Sequence, residues 1–217
     1  TIANIGMYVD LPHNFKGTHM SRFIEVLNAH GNLVHVENIP HILQAMQQSL
    51  DTQTAHLEMD FPFFLEKDAP VTGKGGLMDY QAHFIATACG PEIDFVLEVG
   101  VNVTTLCPCS KAISKASAHN QRGQVTVQLR FDETVWIEDV IGMVEESASC
   151  ELYSLLKRPD EKHVTEKAYD NPVFVEDLVR NVALRLNTHP HVTWYKIEAE
   201  NFESIHNHNA YACIEKG

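Results

Sequence analysis

The 217-residue sequence predicts an α+β protein, with antiparallel sheets carrying paired helices on one face. Three observations lead there. Several stretches alternate apolar and polar residues at period two, the mark of half-buried strands. Pairs of segments with apolar residues at helical spacing stand between them. The order strand-strand-helix-helix-strand-strand in the second half also recurs in the first half, short of its first strand. Cys89-Gly90-Pro91 divides the two copies, giving units over 1–90 and 91–217. The chain does not begin with Met, so an upstream segment carrying the absent strand is expected.

In order, Ile5 to Leu11 reads as a short strand that stops at Pro12. A helix follows, with Phe23, Ile24, Val26 and Leu27 on one face and Gly31 at its end. The next helix starts near Pro40 and carries Ile42, Leu43, Met46 and Leu50. Ala55 to Phe63 alternates as a strand, and the turn-rich 68–76 joins it to a second strand over 78–88 as a hairpin. In the second unit, strands are expected over about 93–104 and 124–131, and a helix from about Trp136 to Leu156 whose wet face is Glu145, Glu146 and Glu151. The polar stretch 157–169 reads as irregular. A further helix is expected with Asn171 as N-cap and Pro172 in its first turn, bearing Val175, Leu178, Val179, Val182 and Leu186. Strands near 192–200 and 207–215 close the chain.

Composition narrows the function classes. A formal charge of −13 argues against non-specific nucleic-acid binding. No apolar run reaches the roughly 18 residues of a membrane span. Five scattered cysteines, an odd number, argue against a disulfide framework and for a reducing compartment, which predicts a cytoplasmic protein. The 13 histidines are many for this length. The chemistry concentrates at Cys107-Pro108-Cys109, on a loop between two predicted strands, with His119 on the same loop able to return to it. Thiolate and imidazole together suit a borderline-soft divalent metal. On pattern alone the commoner fate of a lone Cys is a small buried hydrophobe.

Four blocks, in order and across essentially the whole chain, carry a resemblance. They are Lys16-Gly17-Thr18-His19-Met20-Ser21-Arg22-Phe23, Leu106-Cys107-Pro108-Cys109-Ser110-Lys111, Ala118-His119-Asn120-Gln121-Arg122, and the run from Glu203 to Ala212 through His206 and His208. Together they resemble GTP cyclohydrolase type IB. The resemblance implies the tunnelling fold in two tandem units, a homotetramer with active sites at subunit interfaces, and conversion of GTP and water to formate and 7,8-dihydroneopterin triphosphate at the entry to folate synthesis. Two positions depart from the family pattern: Ala116-Ser117, where an aromatic-glycine pair is expected, and Gly123, where serine is expected.

The resemblance also implies roles. Cys107, His119, Glu161 and His206 are expected around a divalent metal (Zn2+, Mn2+ or Fe2+), although by pattern alone Glu161 sits in a solvated charge run. Cys107 and His208 are expected to act in catalysis; period two would put His206 and His208 on one face at the start of the last strand. Glu176 is expected to anchor guanine by accepting two N–H donors, against the plain alternative of a surface pair with Arg180. Lys16, His19, Arg22, Lys111 and Arg122 are the expected phosphate cations, the first three at a helix N-terminus. Two other readings use the same residues. A nitrile reductase of the same fold would take Cys107 as nucleophile with a nicotinamide cofactor, and a metal- or pterin-binding module would show no turnover.

Overall fold

The computed structural model describes residues 1–11, 17–30 and 34–216. Its elements are β1 (Asn4–Val9), α1 (Met20–Ala29), α2 (Ile39–Leu50), β2 (Thr54–Asp68), β3 (Gly75–Cys89), β4 (Glu92–Leu106), α3 (Pro108–Ile113), β5 (Asn120–Phe131), α4 (Ile137–Glu145), β6 (Cys150–Glu151), α5 (Arg158–Asp170), α6 (Val175–Thr188), β7 (Val192–Asn201) and β8 (Ala210–Lys216). The strands bond in the order β1-β2-β3-β4-β5-β7-β8, with β6 on β4. The predicted α+β layout, an antiparallel sheet with helices, is the one found.

The residues cluster into two compact units, 1–61 with 83–97, and 62–82 with 98–217, so β2, β3 and β4 each contribute to both. In the first unit, Phe23 and Val26 of α1 and Ile42, Leu43 and Met46 of α2 are buried, as are Ala55, Leu57 and Met59 of β2. Phe61 and Phe84 meet edge to face at 5.0 Å, and Phe84 meets Phe95 at 5.5 Å. Gly90, with φ +57°, supplies the left-handed residue that turns β3 into β4.

In the second unit the inward faces of β4 (Val99, Val101, Val103), β5 (Val125, Val127, Leu129) and β7 (Ile197, Ala199) are buried. Over them lie Val140, Ile141 and Val144 of α4 and Leu178, Val179, Val182 and Leu186 of α6. Each fully buried aliphatic side chain contributes about 1.5–3 kcal/mol. In α6 the helical spacing read from the sequence is the face that packs, whereas in α1 Ile24, expected on the packed face, is exposed.

Four local expectations are corrected. The helix expected to reach Leu156 stops at Glu145, because the serines beyond it bond elsewhere. Ser149 N donates to Thr104 O at 3.1 Å and Leu106 N donates to Ser149 Oγ at 3.0 Å. The chain is thereby drawn onto β4 as β6. Glu145 and Glu151 are not a wet face. Glu145 accepts from Lys67 Nζ at 2.6 Å and from Tyr80 OH at 2.9 Å, while Glu151 accepts from Lys167 Nζ at 2.5 Å and Tyr153 OH at 2.6 Å. Burial pushes the Glu151 carboxyl up, but those two donors outweigh it and hold it down at about 2. Burial beside Glu151 pushes the Cys150 thiol up to about 12.

The stretch expected to be irregular is α5. Its signals are Pro159 in the first turn and Asp160, whose buried carboxylate accepts from Lys157 N, Val71 N, Thr72 N and Thr72 Oγ1. Burial alone would raise that carboxyl, but the donors hold it well below the usual carboxylate range. Asn171, expected as an N-cap, instead caps the end of α5, and α6 begins at Val175 behind Phe174.

Candidate active site

The site is assembled where elements of the second unit end. β4 stops at Leu106 and the chain turns at once into the six-residue α3, with Pro108 at its start and Cys107 as N-cap. The amide of Ser110 donates to Cys107 Sγ at 3.4 Å. Cys107 N donates to the His119 carbonyl at 3.0 Å. The Ser110 hydroxyl accepts from His119 N at 3.2 Å and donates to Cys107 O at 3.2 Å. One serine thus ties the Cys107 thiol to the main chain of His119 across the mouth of the loop.

Three more segments arrive by backbone bonds. Val173 N donates to Leu106 O at 3.1 Å and brings the start of α6, with Glu176, beside the end of β4. Asn201, the last residue of β7, pairs with Gly123 in the β5–β7 register. Phe202 N donates to Arg122 O at 3.0 Å and carries the chain on to Glu203 and His206.

Cys107, His119, Gln121, Glu176, Asn201, Glu203 and His206 line one pocket of about 200 Å³, with an apolar side from Val173, Phe174 and Val175. Cys107 and His119 are half-buried, and Glu176 and His206 are exposed at its rim. Arg180 pairs with Asp177 at 2.8 Å, not with Glu176, so the plain surface-pair alternative for Glu176 does not hold. His119 Nδ1 is 3.0 Å from Gln121 Oε1 and 3.2 Å from Ser204 Oγ. Among the described residues, two buried side-chain oxygens lack a hydrogen-bond partner: Glu203 Oε2 and Asn201 Oδ1. A polar atom left so in a folded site is an unmet demand for a donor or a cation.

Of the residues expected from sequence, Cys107, His119, His206 and Glu176 come together. Glu161 stands apart, on the exposed face of α5, where it takes Arg158 Nη1 at 3.1 Å. His208 does not line the pocket. It stacks on His206 with ring centres 5.2 Å apart, in the bends before β8 and not within the strand expected there. Lys111 donates to the Tyr169 carbonyl and lies over that ring at 4.3 Å. Arg122 is exposed on β5. His19, the exposed N-cap of α1, and Arg22, which donates to Ser49 O at 2.8 Å, belong to the first unit. Lys16 lies outside the described residues.

Glu203, Gln121 and Asn201 are pocket residues that sequence reasoning missed. Glu203 stands three before His206 in a recognised block, and Gln121 two after His119, on the same side of a strand. Among the described residues, no three of His, Cys, Asp and Glu converge closely enough to form a ready metal cage.

A family model described as type I GTP cyclohydrolase folE2 matches residues 1–212. The GTP cyclohydrolase FolE2 of Magnetococcus marinus is 57% identical over 217 residues, covering 100% of this chain and 82% of its own length. That of Akkermansia muciniphila is 59% identical over 219 residues, covering 100% and 83%. Among solved structures, the urate oxidase of Bacillus sp. TB-90 aligns over 90% of this chain and 76% of its own, at 9% identity and a TM-score of 0.53. A likeness at that identity shows the tunnelling fold and nothing of the chemistry.

Proposed function

Because the chain belongs to the type I GTP cyclohydrolase FolE2 family, we infer that it opens the imidazole ring of GTP, releasing C8 as formate and forming 7,8-dihydroneopterin triphosphate for folate synthesis. The observation that supports this best is the single pocket shared by Cys107, His119, His206 and Glu176. A thiol and imidazoles for C8 chemistry stand there beside a carboxylate free to read a guanine edge. Glu176, with Arg180 engaged by Asp177, has the two lone-pair faces that the N1–H and 2-amino donors of guanine need. Adenine lacks those donors and would leave the carboxylate unmet.

We further propose that the reaction depends on a divalent cation. The pocket supplies the right kinds of donor: one thiol, two imidazoles and Glu203, whose buried Oε2 has no hydrogen-bond partner. They would have to draw together around the ion. Cys107, His119, His206 and Glu203 would hold it, with Glu161 the expected ligand that does not line this pocket. Zinc, manganese and iron(II) all accept such a set. The cation would supply Lewis acidity at C8 and lower the pKa of water to roughly 7. His208, the expected catalytic imidazole that is not assigned to the cation, is the group to move protons as the ring opens and recloses.

At about 200 Å³ the pocket is smaller than the roughly 300 Å³ at which small-molecule sites begin, so it holds the reacting end of GTP and not the whole nucleotide. We therefore read the working form as a homotetramer of two-unit chains (1–90 and 91–217), in the cytoplasm. A neighbouring subunit completes the cleft, and Lys16, His19, Arg22, Lys111 and Arg122 are its candidate phosphate cations. The test strips the protein with chelator, restores zinc, manganese or iron(II) singly, and follows formate and pterin fluorescence from GTP. Both signals should return with metal and be absent in Cys107→Ala. Turnover that survives thorough chelation would refute the metal dependence, and no formate with any metal would refute the activity.

A further inference from the structure

His119 can face the pocket with either ring nitrogen carrying the proton, and only one of those forms is useful to a ligand that needs a lone pair there. The surroundings choose. Nδ1 of His119 lies 3.0 Å from Gln121 Oε1, and the Gln121 Nε2 donates to Thr105 Oγ1 at 2.9 Å. Thr105 is fully buried and Gln121 is 9% exposed, so neither partner of this chain can be replaced by bulk water. Gln121 Oε1 is an acceptor only. The hydrogen of the neutral ring must therefore sit on Nδ1, where Ser204 Oγ, 3.2 Å away, is a second acceptor. Nε2 is left with its lone pair, on a residue that lines the pocket.

We propose that Gln121, held by Thr105, is the positioning residue of the site: it fixes His119 as the Nδ1–H tautomer and aims Nε2 into the pocket. This deepens the reading of His119 as a metal ligand and rests on it. Outer partners of this kind orient a ligating imidazole and raise its basicity, and losing one typically costs about 10–100-fold in metal affinity. The amide also fixes the ring without adding charge, which suits a pocket that already holds Glu176 and Glu203.

Two readouts on the full-length protein test this, neither of them turnover. Long-range 15N–1H NMR of the metal-free protein reports the tautomer, with the His119 signal assigned by its loss in His119→Asn. Chelator competition with zinc reports affinity, and the visible spectrum of the cobalt(II) form reports the ligand field. In the wild type, Nδ1 should carry the proton. In Gln121→Met the Nε2–H form should appear and zinc affinity should drop about 10–100-fold. Gln121→Glu keeps the acceptor and should restore both. Thr105→Val removes only the hydroxyl that holds the amide and should shift both in the same direction by less; it carries the test should Gln121→Met not fold. An Nε2–H tautomer in the wild type, or variants that keep both tautomer and affinity, would overturn the proposal. A wild type with the Nδ1–H tautomer that takes up no zinc would instead overturn the ligand reading while supporting the tautomer assignment.

Discussion

Glu203 offers a test in which stability and function move in opposite directions. Its Oε2 is buried without a donor, in a pocket where Asn201 Oδ1 is a second buried acceptor also without one. Leaving such a group unmet costs about 1–3 kcal/mol. Glu203 as a residue is only half-buried, so the lower part of that range, about 1–2 kcal/mol, applies. Glu203→Gln removes the negative charge and brings an NH2 donor into the same space. For a chain of this size 1 kcal/mol corresponds to about 2–4 °C in melting temperature, so the metal-stripped variant should melt ~2–8 °C above the wild type. Zinc should stabilise the variant less than the wild type, because a neutral amide is a weaker ligand than a carboxylate. GTP turnover should fall in parallel. Calorimetry with and without chelator, beside a formate assay, measures all three. A stripped variant that melts lower, or one with wild-type turnover, would refute the assignment of Glu203 as a destabilised functional carboxylate.

Two further outcomes follow from the same side-chain environments. Glu176→Ala should weaken kcat/KM for GTP by roughly 10²-fold or more, as expected from losing two charge-assisted hydrogen bonds at about 1.5–3 kcal/mol each; unchanged kcat/KM would remove Glu176 from the guanine edge. Glu151, held down at about 2 against an ordinary 4.5, contributes stability that is complete above pH 4.5 and is lost as pH falls toward 2. With Lys167 38% exposed and partly screened, that contribution is on the order of 2 kcal/mol. Urea midpoints measured against pH should fall less steeply over this window in Glu151→Gln than in the wild type, and equal slopes would contradict it.

The elements legible in the sequence were those whose burial is one-sided. β5, with Val125, Val127 and Leu129 inward, and α6, with Leu178, Val182 and Leu186 inward, write their period directly into the chain. α5 did not, because its anchor is one buried carboxylate, Asp160, and not an apolar stripe. The end of α4 was misread for the converse reason: helix-like residues continue past Glu145, but Ser147 closes α4 by bonding back to Met143 O and Val144 O, and Ser149 is bonded to β4. Glu145 looked like a surface acid because Lys67 and Tyr80, which engage it and leave it half-buried, lie 78 and 65 residues away in sequence. At the site, residues whose chemistry is unusual in itself (Cys107, His119, His206) stood out. Gln121 and Asn201 did not, since an amide becomes significant only through what it touches.

The geometry also explains why one region of the second unit gathers the candidate site. A strand end has a free direction in which to send the next residue, while its last bonded pair fixes where that residue starts. β4 releases Cys107 in this way, β5 begins beside His119, and β7 releases Glu203 two residues past the pair Asn201–Gly123. Cross-links then close the set: Cys107 N to His119 O, Val173 N to Leu106 O, and Phe202 N to Arg122 O. The candidate side chains thus sit on segments held by main-chain bonds whose formation does not depend on them. Gly123 is the exception. A Cβ there would lie 2.7 Å from Asn201 Oδ1, so the amide owes its seat to the missing side chain. A serine at this position, the residue expected from the resemblance, would crowd that oxygen yet offer it the donor it lacks. Gly123→Ser therefore probes whether Asn201 is held for the pocket or merely tolerated beside it.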